Sequence, residues 1–207
     1  MGRHLLLFAG KSLKMRRSID RLGPDVCIFL ALGLLILPLR WLLAAILAAA
    51  FHEGCHWLAV RLCGGSITAL RIGSGGAQMD AVGLSAGKNL ICSLAGPVGG
   101  LFLLLFMRWI PCIALCALCQ SAYNLLPIGP LDGGQALRSF CRLTVPRLEN
   151  SICIWVQRLC LTVVACAAAY AAIWLRLGWI PVILALAVIV KAKTGKTPCK
   201  QRSKRVQ

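Results

Sequence analysis

At 207 residues the chain has the length of one domain, but 59% of it is hydrophobic and only 14% charged, with the apolar residues in long blocks instead of alternating with polar ones. That profile excludes an ordinary soluble domain and describes a polytopic membrane protein, in which the bilayer stands in for a large buried core. The net charge of +17 invites a nucleic-acid reading, which its distribution argues against: Lys and Arg gather at the ends of the apolar blocks, where they meet anionic lipid headgroups.

In chain order, a basic cytoplasmic segment, 1–21, carries Arg3, Lys11, Lys14, Arg16, Arg17 and Arg21. Apolar spans follow near 22–39, 41–61, 89–107, 109–126, 151–175 and 178–191, the first and last of them short. The fold class expected is therefore all-α, with about six transmembrane helices making a membrane domain over 22–191, and a basic cytoplasmic tail, 192–207. Pro38 and Arg40 separate the first two spans and predict a tight helical hairpin, since proline disfavours one continuous helix and Arg40 seeks an interface. Read as a signal peptide, the first span would be cleaved near Ala48-Ala49-Ala50, inside the next helix, so it is taken as an anchor.

The second span contains His52-Glu53-Gly54-Cys55-His56. A helix turns about 100° per residue, so His52 and His56 share one face and can reach one metal ion, while Glu53 is placed to act on water instead of binding the metal. Two imidazoles and a carboxylate in a lipid-embedded helix are costly and are functional candidates by default; the bland alternative is a buried polar cluster that only packs. Cys55 is expected to be a spacer, pointing partly off the ligand face.

From Gly64 to Lys88 the chain turns polar and glycine-rich, and Ser66–Ile72 and Ala77–Val82 around Gly73-Ser74-Gly75-Gly76 suggest a short β-hairpin. Its free edge could accept an extended substrate strand, or the segment is a plain interfacial loop. Span 3 holds Ala95-Gly96-Pro97-Val98-Gly99-Gly100, small residues read as helix packing with a bend at Pro97. A catalytic zinc usually takes three protein ligands. Where span 4 breaks up, in Asn124-Leu125-Leu126-Pro127-Ile128-Gly129-Pro130-Leu131-Asp132-Gly133-Gly134, Asp132 is the one carboxylate. It is either the third ligand, in a wet cavity at membrane depth, or the cap of a short helix beginning at Gly133.

With six spans, Arg61, Arg71 and Lys88, then Arg138, Arg142 and Arg147, and both basic ends all lie on one side, leaving Arg40, Arg108 and Arg176 for the other. The positive-inside rule then places both termini in the cytoplasm of a multi-pass cell-membrane protein. The twelve cysteines include a C-x-x-C at Cys116 and Cys119, but no second pair with zinc spacing accompanies it, and packing is the preferred reading.

Taken together, His52-Glu53-Gly54-Cys55-His56, Asn124-Leu125-Leu126-Pro127 and Leu131-Asp132-Gly133 resemble the site-2 intramembrane metalloproteases, and Ala95-Gly96-Pro97 is similar to an intervening motif of that family. The helical hairpin before the catalytic span is most similar to the stage IV sporulation protein FB branch. Departures are Gly100, where family members often carry asparagine, and the lack of a visible PDZ insertion or CBS domain. The resemblance implies an intramembrane zinc metalloendopeptidase with one Zn2+ per chain, held by His52, His56 and Asp132. It implies Glu53 as the base and Asn124 as a catalytic-site residue that orients the substrate or its oxyanion; Asn124 could equally cap the broken end of span 4. The partners implied are a membrane-bound protein substrate and the bilayer, with no nucleic acid and room for an inhibitory membrane partner. Rival classes are a transporter, against which no internal repeat is found, and a non-catalytic scaffold, which has no need of Glu53.

Overall fold

The structure, a computed structural model, describes Leu34 and residues 37–73, 76–174 and 178–194. The basic segment 1–21, nearly all of the expected span 22–39 and most of the tail lie outside the described residues. The rest forms helix α1 (Leu39–Leu62), strands β1 (Ser66–Gly73) and β2 (Gly76–Val82), and helices α2 (Ala86–Phe102), α3 (Pro111–Asn124), α4 (Asp132–Thr144), α5 (Glu149–Ile173) and α6 (Ile180–Thr194). A 3₁₀ turn, Leu103–Phe106, prolongs α2.

Local chemistry accounts for most of these boundaries. Pro38 precedes α1 and Pro111 opens α3, where a missing N–H costs no helical bond. The Ser85 hydroxyl accepts from Lys88 N–H at the start of α2. Inside α2, Pro97 is accommodated although it cannot donate to the carbonyl of the preceding turn. β1 and β2 pair antiparallel from Ser66 opposite Val82 to Gly73 opposite Gly76, with an irregularity between Ile67 and Ala69.

Among the described residues, three helices are long and apolar enough to cross a membrane: α1, α2 with its 3₁₀ turn, and α5. The expected spans 109–126 and 178–191 hold helices of 14 and 15 residues, shorter than the ~20 that a straight crossing takes. At the end of α3 the chain spends 125–131 on a turn instead. It then enters α4, a helix expected only as the capping alternative for Asp132.

Burial is inverted relative to a soluble bundle. The buried side of α1 is Ala44, Ala48, His52 and Val60, while Leu43, Ile46, Leu47, Trp57 and Leu58 are exposed. Small residues at the contacts let helices approach closely, and large apolar ones outside suit lipid. Helix α2 sits centrally, packed against α1, α3 and α4, and α3 also packs on α1. A Cβ at Gly99 would collide with the Cys55 thiol, so Cys55 acts as a packing spacer between α1 and α2. At the start of α4, a Cβ on Gly133 or Gly134 would run into the backbone carbonyls of Leu125 or Ile128, which locks this helix start against the turn before it. All cysteines among the described residues are free thiols.

Candidate metal centre

His52 and His56 project from consecutive turns of α1 with ring centroids 4.8 Å apart and ring planes at 77°. The Nε2 atoms converge to 3.2 Å. Asp132, 80 residues beyond His52, brings Oδ2 to 3.0 Å from His52 Nε2 and 3.1 Å from His56 Nε2. These three residues form a group whose ligand atoms all lie within 4.8 Å of one another. His52 is 1% exposed and the other two are half-buried.

The capping alternative for Asp132 can be judged directly. The residue before α4 is Leu131, no side chain caps the helix, and Asp132 is its first residue with the carboxylate on the histidines. A negative side chain in the first helical turn is also favoured by the helix dipole. Asn124 ends α3 and puts Nδ2 3.2 Å from His52 Nε2, so it joins the group instead of serving only as a helix end. Glu53 is half-buried and lies within electrostatic reach of His52, His56 and Asp132.

Two contributions come from α2, where the sequence suggested packing alone. The His56 Nδ1–H donates to the Cys92 backbone carbonyl at 2.7 Å, which in neutral imidazole leaves the lone pair on Nε2. A backbone carbonyl leaves no mark in the sequence. The second is Gly96: a Cβ there would overlap both Nε2 atoms, so the glycine keeps open the space into which the two imidazoles point. The signal was present in the small-residue run, but only the packing says what the space is for. From the far end, α6 reaches the rim with Lys191 Nζ 5.0 Å from the centroid of the Tyr123 ring, next to Asn124.

This donor set fits a divalent metal. Two imidazole nitrogens and a carboxylate oxygen present lone pairs to one point at 3.0–3.2 Å, an arrangement that is mutually repulsive without a cation or proton among them. Two histidines with one carboxylate are a recurrent catalytic zinc set.

The fold and site thus define a helical protein with membrane-length helices and a His-His-Asp group at its centre. Among solved structures, the chain is similar to the site-2 protease from Methanocaldococcus jannaschii, with 18% identity and a TM-score of 0.54 over 83% of this chain and 85% of that one. At that identity the likeness is one of fold. No family model matches the sequence, and no curated protein does.

Proposed function

We propose that this protein is an intramembrane zinc metalloendopeptidase of the site-2 type, hydrolysing peptide bonds of membrane-embedded or membrane-associated proteins within or near the bilayer. The observation that carries the reading is the convergence of His52 Nε2, His56 Nε2 and Asp132 Oδ2 from two distant stretches of chain. The fold likeness to a site-2 protease agrees with it.

His52, His56 and Asp132 would hold one Zn2+, which when bound supplies Lewis acidity towards a peptide carbonyl and lowers the pKa of water to about 7. Glu53 follows the first ligand and stays out of the ligand group. It takes the proton from water as the oxygen attacks the scissile carbonyl, and returns it to the leaving amine. Asn124 offers amide N–H groups beside His52, from where it orients the substrate carbonyl or steadies the charge that develops on its oxygen. A helical substrate hides its carbonyls in hydrogen bonds four residues apart, so the scissile segment must unwind first. Substrates with helix-weakening residues near the interface are favoured.

The reading extends to a multi-pass cell-membrane protein with about six spans, the first being 22–39, and with the 64–88 loop and both termini cytoplasmic; this is supported by the distribution of Lys and Arg. Reporter fusions after Lys88 and at Gln207 should both report cytoplasm, and opposite locations would undo it.

The deciding experiment joins metal analysis of the purified protein to cleavage of co-expressed membrane-bound candidates. Asp132→Asn should accumulate in the membrane, since asparagine also suits a helix start, yet be inactive and poor in zinc. Glu53→Gln should keep its zinc and lose about 10²–10⁴-fold in cleavage. Normal zinc and activity in Asp132→Asn would remove Asp132 from the site, and wild-type cleavage by Glu53→Gln would remove the proposed base.

A further inference from the structure

Buried side-chain polar atoms are nearly always hydrogen-bonded in folded proteins. Among the described residues two have no partner: His52 Nδ1 and Ser121 Oγ. They belong to helices α1 and α3, which pack on each other. Ala48 of α1 and Ala117 of α3 share one buried cluster, and one turn further along each helix come His52 and Ser121. Three residues beyond Ser121, on the same side of α3, Asn124 reaches His52 Nε2. Ser121 is 0% exposed, so its hydroxyl faces protein on every side. Helix α2 meets both residues, with Gly96 against His52 Nε2 and, one turn on, Gly100 against Ser121 Oγ.

The contacts at Nε2 give this placement a chemical meaning through the tautomer of the ring. The Asn124 amide and the Asp132 carboxylate both meet His52 at Nε2. A ring that presents its Nε2 lone pair to that point carries its proton on Nδ1, and an Nδ1–H buried in protein needs an acceptor. His56 has the same need and meets it with the Cys92 carbonyl. A serine oxygen can accept in the same way.

We propose that Ser121 is the positioning residue for His52: its Oγ accepts a hydrogen bond from one bridging water molecule that in turn accepts from His52 Nδ1–H, and so holds the ring with Nε2 toward Asp132 and His56. The proposal rests on the metal-ligand reading of His52, although Ser121 itself touches neither metal nor substrate. It also gives Gly100 a purpose, because any side chain there would occupy the space of the Ser121 hydroxyl. Outer partners of metal-binding histidines fix ring orientation and typically change metal affinity by about 10–100-fold when removed.

Ser121→Ala deletes one oxygen and adds no bulk, and a hydroxyl that is merely buried would be lost without harm. In the full-length, detergent-solubilised protein, zinc affinity measured by competition with a chromophoric chelator should fall about 10–100-fold, while thermal unfolding of the zinc-free protein stays the same or improves. The chain has three histidines, so 15N-histidine spectra can follow His52 individually, and its Nδ1–H signal in zinc-free protein should move in Ser121→Ala. Unchanged affinity overturns the proposal, and so does weaker binding with an unmoved His52 signal, since Ser121 would then act elsewhere. Wild-type protein that takes up no zinc overturns the metal reading instead, and the His52 signal in the two proteins still decides the pairing.

Discussion

Helices α1 to α4 and the pair α5–α6 are made of similar residues and are used in opposite ways. In α2, 33% of the most apolar stretch is buried inside the protein, whereas in α5 the share is 11%. The first group is drawn together by Ala44, Ala48, Gly96, Gly100, Ala114 and Ala117, all small and all buried. The second turns Trp155, Leu159, Val163, Tyr170, Ile173 and Ile183 outward, and its buried residues are Ala168 and Ala185. Its seam with the first group runs between α4 and α5, where Glu149 pairs with Arg142 at 2.9 Å and with Arg138 at 3.7 Å. In a membrane, close packing of small residues fixes geometry and large apolar residues face the solvent, which is lipid. The part that brings His52, His56 and Asp132 together is therefore the part built from glycine and alanine.

Substitutions can break this contrast at graded points. The largest effect is expected for Gly96→Ala, whose Cβ would occupy the space of both histidine Nε2 atoms. Alanine favours helix over glycine by about 1 kcal/mol, so the variant should still fold while zinc content and cleavage fall to background. A variant that retained zinc would show that the two rings can leave α2 without loss.

Gly134→Ala should come next, because its Cβ meets the Ile128 carbonyl, part of the backbone with little freedom to retreat. Overpacking of this kind costs about 1–3 kcal/mol. Here it should also displace the start of α4 and with it Asp132, lowering thermal stability and metal affinity together. Stability lost with unaltered metal affinity would mean that Asp132 is positioned independently of the helix it opens.

A smaller change is expected at the seam. Glu149→Gln removes the charge that pairs with Arg138 and Arg142 at a partly exposed position, a loss of about 0–1 kcal/mol that should shrink at high salt. Its measurement is thermal unfolding in detergent at two ionic strengths. The smallest effect belongs to Leu159→Ala: the side chain is 66% exposed, so the change leaves no cavity in the protein. Cleavage and stability should match the wild type within error, and a large loss would reveal a protein surface, not lipid, on that face of α5.

How much of this could be read before folding differs along the chain. His52-Glu53-Gly54-Cys55-His56 announces its geometry, because a helix brings residues four apart onto one face whatever surrounds it. The membrane-length helices α1 and α5 are legible for a similar reason, since a long apolar block has few other ways to satisfy its backbone in lipid. Asp132 was readable only as a choice between ligand and cap. Nothing local to Leu131-Asp132-Gly133 says which way the carboxylate turns, and the choice falls to the packing of α4 on α2.

Composition and the spacing of polar residues along apolar blocks were enough to point to a membrane chain and a helical histidine pair, because each follows from short-range periodicity or from solvation of the segment itself. The shortness of α3, the existence of α4, the use of the Cys92 carbonyl and the space kept by Gly96 were decided by tertiary structure. Each depends on how closely one backbone approaches another, a distance set jointly by helices far apart in sequence and written in no one of them.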